Sequence, residues 1–361
     1  MLSSRPLSGS RPTAYLAIRP PFPSGSRQRA AFAYIRDMST ESRTNAESVP
    51  EGYAAGFALA PMAGITDSAM RRICRELGAT ATVTEMVSAA GLSRRSVKTS
   101  RLLAHTESER PLGVQLFGRK PEDFQRAAGL VDGLGFDFID INAGCPVRRV
   151  ATKGSGAGLL RDLPRLVRIV EAASRAAALP VTVKIRLGWT PEEPLPESAW
   201  ESLARAGARV IAVHGRYRSE GFSGEVRLDE MRRVVEASPV PVLANGDSTS
   251  AGAVRRMMEA TGASGALLGR GAVANPWIFR ELAGNGAGNP LPGELRHAVN
   301  RQLGMMHEYM DQPYVYHAMR GHLCRYLRGF RRASEVRRRA VRVESDADVD
   351  TVLRMAEERM H

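Results

Sequence analysis

Short apolar segments rich in β-branched residues recur along this chain at nearly even intervals. Most of their midpoints lie roughly 25 to 31 residues apart, and the stretches between them carry the pattern of amphipathic helices. Thr66 or Asp67 begins one such helix, and Asp162 begins another. Eight strand–helix units over about 215 residues match the usual size of a (β/α)8 barrel. The sequence therefore predicts an α/β fold built as a TIM barrel. The predicted strands are 57–61, 81–87, 112–117, 136–142, 181–186, 209–214, 240–245 and 265–269.

The composition changes on both sides of this repeat. Residues 1–52 are predicted to be a disordered, basic extension rich in serine and proline, with six arginines and no acidic residue in the first 36 positions. An organellar transit peptide has this composition, but the proline pairs argue against a presequence helix. An upstream start, with Met38 as the natural initiator, is the alternative. Residues 53–289 contain the predicted barrel, and residues 290–361 form a predicted small helical domain.

Overall composition narrows the classes of function. No apolar run approaches the roughly 18–20 residues that cross a bilayer, so no membrane partner is expected. The three cysteines, Cys74, Cys145 and Cys324, are odd in number and far apart, which predicts neither a disulfide framework nor a metal site. The formal net charge of +13 suggests a polyanionic partner, although charge alone is weak evidence.

Polar residues cluster at the carboxyl ends of the predicted strands, where TIM barrels have their active sites. In the strand VTVKIR, Lys184 and Arg186 alternate with apolar residues and therefore share the inward face. Burying two positive charges without an anion is costly, so a bound phosphate or an anionic ring is expected. The alternative is an internal salt bridge to Glu85 or Asp140. His214 ends the next strand on the inward face.

Glycines follow the last two predicted strands. The seventh strand ends in Asn245-Gly246-Asp247. The eighth ends in Gly269-Arg270 and passes into a helix. In TIM barrels these loops and the helix N-terminus that follows often bind a phosphate through backbone N–H groups. The two loops together predict a phosphate site.

One cysteine stands in an unusual place. Cys145 lies in a turn after the fourth strand, and a proline and a run of cations follow it. Cysteine is usually a small buried apolar residue, so a structural role is the simple alternative. The interval between the fourth and fifth strands is also the longest one in the repeat, which indicates an extended loop around Cys145.

Nine short motifs follow one another along the chain: APMAGITD (60–67), TEM (84–86), VQLFG (114–118), DINAGCP (140–146), VKIRLGW (183–189), VHGR (213–216), FSG (222–224), ANGD (244–247) and GRGAVANPWIF (269–279). In this order they resemble the tRNA-dihydrouridine synthases, most closely the bacterial B-type branch, over roughly residues 56–340. The resemblance implies an FMN-dependent TIM barrel followed by a small helical domain. It also implies reduction of uridine in tRNA to 5,6-dihydrouridine, with NADPH as the electron source.

The resemblance assigns roles to individual residues. Reduced FMN would deliver a hydride from N5 to C6 of uracil, and Cys145 would be the general acid that protonates C5. A thiol suits this task because an unperturbed thiol is protonated at neutral pH. Asn142, Lys153 and Arg186 would contact the substrate nucleotide. The implied FMN-binding residues are Pro61, Met62, Ala63, Gln115, Lys184, His214, Asn245, Gly246, Asp247, Gly269 and Arg270.

The C-terminal region carries a cationic face. Residues 320–342 contain nine arginines and one acidic residue, a run that predicts contact with a polyanion. Arg320, Arg325 and Arg328 are the candidate tRNA contacts. An apolar stripe at helical spacing runs along the same segment, formed by Met319, Leu323, Tyr326, Leu327 and Phe330.

The expected partner is tRNA, reduced at a D-loop uridine, and the expected protein is a cytoplasmic bacterial monomer. An organellar location, directed by residues 1–36, is the alternative. Two other classes of protein remain open. Another FMN-dependent TIM-barrel oxidoreductase, similar to a dihydroorotate dehydrogenase or an ene-reductase, is disfavoured by the arginine-rich region. A tRNA-binding protein that has lost catalysis is disfavoured by Cys145 and the flavin-site residues.

Overall fold

The computed structural model describes residues 48–291, 293–328 and 333–358. Residues 1–47, which include most of the predicted N-terminal extension and Met38, lie outside the described part of the chain. Phe330 of the predicted apolar stripe lies outside it as well.

Parallel strands form one sheet that closes on itself as a barrel. The strands are β1 (Phe57–Leu59), β2 (Thr82–Val83), β3 (Val87–Ser88), β4 (Leu112–Phe117), β5 (Phe138–Ala143), β6 (Val181–Arg186), β7 (Gly188–Thr190), β8 (Glu193–Pro194), β9 (Ala208–His214), β10 (Val242–Asn245) and β11 (Gly265–Leu268). Pairing runs from β1 through β11, β10, β9, β6, β5 and β4 to β2, while β3 also pairs with β4. β2 and β3 together occupy the second predicted strand. All eight predicted positions are therefore present.

Two backbone hydrogen bonds join the ends of this sheet. The Leu59 N–H donates to the Ala81 carbonyl at 3.0 Å, beside the start of β2. The Thr80 N–H donates to the Phe57 carbonyl at 3.0 Å. These bonds link the first and second positions of the repeat, and the predicted TIM barrel is confirmed.

Helices connect the strands and cover the outside of the barrel. Two predicted helix starts are confirmed by capping. The Asp67 carboxylate accepts a hydrogen bond from the Met70 N–H at 2.9 Å. The Asp162 carboxylate accepts one from the Arg165 N–H at 3.1 Å. The helices are α1 (Glu51–Ala54), α2 (Ser68–Glu76), α3 (Ala89–Ser93), α4 (Val97–Ser100), α5 (Pro121–Val131), α6 (Arg148–Ala151), α7 (Leu163–Ala176), α8 (Ser198–Arg205), α9 (Leu228–Ala237), α10 (Ala251–Thr261), α11 (Arg270–Ala274), α12 (Ile278–Leu282), α13 (Glu294–His307), α14 (Tyr314–Tyr326), α15 (Ala333–Ala340) and α16 (Asp346–Glu357).

The floor of the barrel is sealed by apolar side chains. Tyr53 of α1 is fully buried, and its ring centroid lies 4.2 Å from that of Phe138 at the start of β5. Small inward residues such as Ala58 and Ala212 belong to the same buried cluster. Because this end is filled by buried side chains, space for a ligand inside the barrel is left toward the opposite end, where the strands finish.

The long interval after the fourth predicted strand, which is β5, contains helical turns. It contains α6 and a 3-10 helix, Gly156–Arg161, before α7 begins. A short antiparallel hairpin, β7–β8, follows β6 and is an addition that the sequence did not predict. Both features lie after the carboxyl ends of strands and therefore border the mouth of the barrel.

The C-terminal helices pack against one side of the barrel. Their buried cluster includes Met319, Leu323, Tyr326 and Leu327, the described members of the predicted stripe. The same cluster includes Ile73 of α2, so the helices rest on the barrel. The domain boundary at residues 289–290 stays a prediction. Within the described residues, no helix is both long and apolar enough to cross a membrane.

Candidate active site at the carboxyl ends of the strands

A cavity of about 620 Å³ opens at the carboxyl ends of β1, β6, β9, β10 and β11. Nine of the predicted FMN-binding residues line it, namely Pro61, Met62, Lys184, His214, Asn245, Gly246, Asp247, Gly269 and Arg270. Ala63 is exposed beside it and Gln115 is buried behind it, so neither reaches the lining. Most of the residues predicted from the sequence to bind FMN therefore lie around this one cavity. Phe222, which is 55% exposed, and Arg328 complete its rim.

Lys184 presents its ammonium group to the cavity. Its Nζ donates to Asn245 Oδ1 at 2.9 Å, and the Asn245 Nδ2 in turn donates to the Leu267 carbonyl at 2.7 Å. Burial, together with the nearby Arg186, lowers the pKa of Lys184 to about 8. This lysine therefore keeps a weakly compensated charge on the cavity wall at neutral pH.

The predicted alternative partners of these two cations are engaged elsewhere. Asp140 accepts hydrogen bonds from Gln115 and Thr182, each at 2.7 Å. Glu85 accepts one from the Gly64 N–H. Among the described residues, neither Lys184 nor Arg186 has a carboxylate within ion-pair distance, so the internal salt bridge is absent there.

Asp247 joins two further arginines at the cavity. Its carboxylate contacts Arg216 and lies 3.2 Å from Arg270. The hydrogen bond from Arg216, and the charges of both arginines, lower the pKa of Asp247. Arg216 is buried and belongs to the VHGR motif, but no role was assigned to it from the sequence. It lies beyond the end of β9, where strand alternation no longer applies, so its pairing with Asp247 is visible only in the folded chain.

His214 is held in its neutral form. Burial first, and then the charge of Lys184 and the neighbouring arginines, keep the pKa of His214 far below its usual range. Its Nε2 lies 3.3 Å from Arg216 Nη1. A neutral imidazole in this position can orient a ligand but cannot act as a proton donor of imidazolium type at neutral pH.

The residues of this cavity fit a phosphate-bearing anion. Lys184, Arg270 and Arg328 line it with the single carboxylate Asp247, which the buried Arg216 also pairs, and this leaves positive charge that an anion would compensate. The first N–H groups of α11 have no partner within their own helix. A Cβ on Gly271 would come within 2.0 Å of the Ser248 carbonyl, so glycine is needed for the two phosphate-site loops to pack together.

Cys145 lies half-buried in the loop after β5. The N–H groups of Gly144 and Cys145 donate to Asn142 Oδ1 at 3.2 and 3.0 Å. The Cys145 carbonyl accepts from the Ala157 N–H at 3.1 Å, which ties the two ends of the long loop together. The buried structural cysteine of the chain is instead Cys74, where burial raises the thiol pKa. Lys153 is exposed in the same long loop.

Arg186 is buried and is not among the residues that line the cavity. It is 1% exposed, and its Nε, Nη1 and Nη2 donate to the carbonyls of Gly144, Tyr217 and Gly221 at 2.8, 3.0 and 2.7 Å. These three bonds hold the cysteine loop against the loop after β9. They use three of the five N–H donors of the guanidinium, and the substrate contact of Arg186 stays a prediction.

The three C-terminal arginines differ in position. Arg328 is exposed and lines the cavity. Arg320 donates to the Val343 carbonyl at 3.0 Å, and Arg325 donates to the Gly321 carbonyl at 2.6 Å. The structure therefore brings Arg328 to the site and ties the other two to their own helical region. No group of three or more His, Cys, Asp or Glu side chains suited to a metal ion occurs among the described residues.

Comparisons with known proteins agree with this geometry. Residues 58–360 match the family model described as "Dihydrouridine synthase (Dus)". The chain is 35% identical to tRNA-dihydrouridine synthase B of Pseudomonas aeruginosa, over 84% of this chain and 93% of that protein. It is 40% identical to tRNA-dihydrouridine synthase B of Pseudomonas syringae over 63% of this chain and 67% of that protein. It is also 34% identical to tRNA-dihydrouridine synthase B of Proteus vulgaris, over 74% and 85%.

The role of Arg186 in holding the two loops together can be tested by measuring the stability of a variant that lacks it. We expect Arg186→Met to lower the free energy of unfolding by at least about 2 kcal/mol, since each buried polar group left without a partner costs roughly 1–3 kcal/mol. Chemical denaturation measures this, with Arg328→Met as a matched control at an exposed position. Unchanged stability together with weaker substrate binding would instead favour the direct contact that the sequence suggested.

Proposed function

Because the chain belongs to the dihydrouridine synthase family, we propose that it is a flavin-dependent enzyme that reduces uridine in tRNA to 5,6-dihydrouridine. The observation that carries this proposal is the cationic cavity at the strand ends, with Cys145 in the loop after β5 and Arg328 on the cavity rim. Bound FMN, with NADPH as the electron source, would supply the hydride that is added to uracil C6.

The chain's own cations bind and orient the flavin in this proposal. The loops at 245–247 and 269–270, with Arg270, hold the phosphate end, because they combine free N–H groups with a guanidinium. Lys184 places its charge beside the ring system, and His214 acts as a neutral hydrogen-bonding group. Pro61 and Met62 form an apolar part of the cavity lining. Ala63 and Gln115 are proposed as neighbours of this set, with Gln115 acting from behind the lining.

Cys145 supplies the proton. Reduction of the C5–C6 double bond adds a hydride to C6 and a proton to C5, and the thiol gives up its S–H proton to C5. His214 is unsuited to this task, because its neutral form prevails at neutral pH. Asn142 places the backbone of Cys145 and, together with the exposed Lys153, borders the substrate.

The polynucleotide partner is held outside the cavity. We propose that Arg328 contacts the tRNA backbone next to the extruded uridine, since an enzyme that modifies a base must take it out of the stack and anchor its flanks. Arg320 and Arg325 contribute positive field from the helical region. A D-loop uridine as the target, the monomeric state and a cytoplasmic location belong to the same proposal.

Flavin binding should depend on the protonation of Lys184. The pKa of Lys184 is lowered to about 8, and an anion binds better to the charged form. The affinity for FMN should therefore be constant below this pKa and fall as the pH rises above it. Lys184→Met should bind FMN more weakly at pH 7 and lose this decline. Quenching of FMN fluorescence measures both, and a wild-type affinity that does not change between pH 7 and 9.5 would contradict the assignment.

Removal of the thiol should separate the two half-reactions. In Cys145→Ala, reduction of the flavin by NADPH should persist, while transfer to tRNA slows by about 10²–10⁴-fold, the usual contribution of a positioned acid. Single-turnover reoxidation of pre-reduced enzyme by unmodified tRNA gives the rate. Cys324→Ala is the control, because that thiol lies in α14. Equal rates for Cys145→Ala and wild type would show that another group protonates C5.

Replacement of Arg328 at the cavity rim should weaken tRNA binding without affecting the flavin. Arg328→Ala should raise the KM for tRNA and reduce the slope of affinity against salt by about one phosphate contact. Flavin content and NADPH oxidation in the absence of tRNA should not change. Arg232→Ala, at an exposed position on α9, is the charge-matched control. The same loss in both variants would mean that the effect is only the general positive field.

A further inference from the structure

A chain of buried side chains links the barrel interior to Cys145. The Asp140 carboxylate accepts from Thr182 Oγ1 and from Gln115 Nε2, both at 2.7 Å. Gln115 Oε1 accepts from Asn142 Nδ2 at 2.7 Å. Asn142 Oδ1 then accepts the N–H of Cys145 at 3.0 Å. Asp140, Gln115 and Asn142 are 0%, 1% and 7% exposed, so water does not compete for these bonds.

The direction of this chain is fixed at both ends. A backbone N–H can only donate, so the N–H of Cys145 requires the oxygen of Asn142 to face it. The Asn142 amide nitrogen then faces Gln115, whose oxygen must accept, and the Gln115 nitrogen points at Asp140. An ionised carboxylate can only accept, which matches the last link. Reversing either amide would break a bond at one end.

Asp140 is an unusual residue for its position. It is fully buried, has no cation within ion-pair distance among the described residues, and burial raises its pKa. An apolar side chain would fill the inside of a barrel strand without the cost of burying a carboxyl group. The contribution of Asp140 to the structure is therefore the pair of hydrogen bonds that it accepts.

We propose that Asp140 is a positioning residue for Cys145, which it holds in place through Gln115 and Asn142. The proposal rests on the proposed function, in which Cys145 is the proton donor. Asp140 touches neither the cavity nor the reacting atoms. It fixes the two amides, and the second amide fixes the backbone that carries the thiol. A displacement of about 1 Å at a reacting group can slow a reaction by roughly 100-fold, so this indirect control matters for the rate.

The test compares Asp140→Leu, which removes the acceptor, with Asp140→Asn, which keeps an oxygen for Gln115. Both are made in full-length protein with Cys324→Ser, so that Cys145 is the thiol accessible to iodoacetamide while Cys74 stays buried. Asp140→Leu should increase the alkylation rate of Cys145 severalfold and slow transfer to tRNA by about 10- to 100-fold. Asp140→Asn should stay within about threefold of the parent, because a neutral acceptor retains part of a charge-assisted bond.

Thr182→Val is the matched control. It removes the other hydrogen bond of Asp140 at an equally buried position but leaves the chain to Cys145 complete, so alkylation should not change. If Asp140→Leu does not fold, Gln115→Met breaks the chain one link nearer to Cys145 and should give the same increase in alkylation.

Two results would overturn the proposal. One is an alkylation rate equal to that of the parent in a folded Asp140→Leu or Gln115→Met variant. The other is a loss of FMN affinity in Asp140→Leu with unchanged alkylation, which would mean that Asp140 acts through the charge of Lys184. A failure of Cys145→Ala to slow transfer would instead overturn the acid role, and the alkylation rates would still decide whether Asp140 positions the thiol.

Discussion

Closure of a parallel sheet determines where polar groups can lie in this protein. The bonds from Leu59 to Ala81 and from Thr80 to Phe57 join the first and second positions, so no edge remains between them. Every strand of the barrel then points its carboxyl end toward the same mouth, and Tyr53 closes the other end. Lys184 at the end of β6 and Arg270 after β11 therefore meet around one cavity, although they are far apart in sequence.

The charge balance of that cavity explains its chemistry. Lys184, Arg270 and Arg328 line the space, and Asp247, which also pairs with the buried Arg216, compensates them only in part. This excess would favour an anionic ligand and, after burial, is the second cause that lowers the pKa of His214. The same electrostatic arrangement underlies both the proposed binding of an anionic cofactor and the assignment of the proton-donor role to the Cys145 thiol in the proposed function.

The strands and the cavity wall could be predicted from sequence because their signals are local. Alternation of apolar and polar residues placed Lys184 inward, and glycines after β10 and β11 indicated loops that do line the cavity. The partners of Arg186 could not be predicted in this way. These partners are backbone carbonyls in loops, and the pattern of side chains along a sequence does not indicate where a carbonyl group lies. The folded backbone shows that the three carbonyls converge on Arg186. Asp140 was a salt-bridge candidate from sequence, whereas its actual partners are the Gln115 amide on β4 and the Thr182 hydroxyl on β6.

The sealed floor has a practical consequence for handling the protein. Residue 48 and α1 lie at the end of the barrel opposite the mouth, because α1 packs under the strand starts through Tyr53. The cavity and the rim arginine face the other way. A surface tether attached on the N-terminal side would present the mouth to solution, whereas one attached beyond α16 would start from the helical region that supplies Arg328 to the rim. Immobilised binding assays should therefore be oriented through the barrel floor.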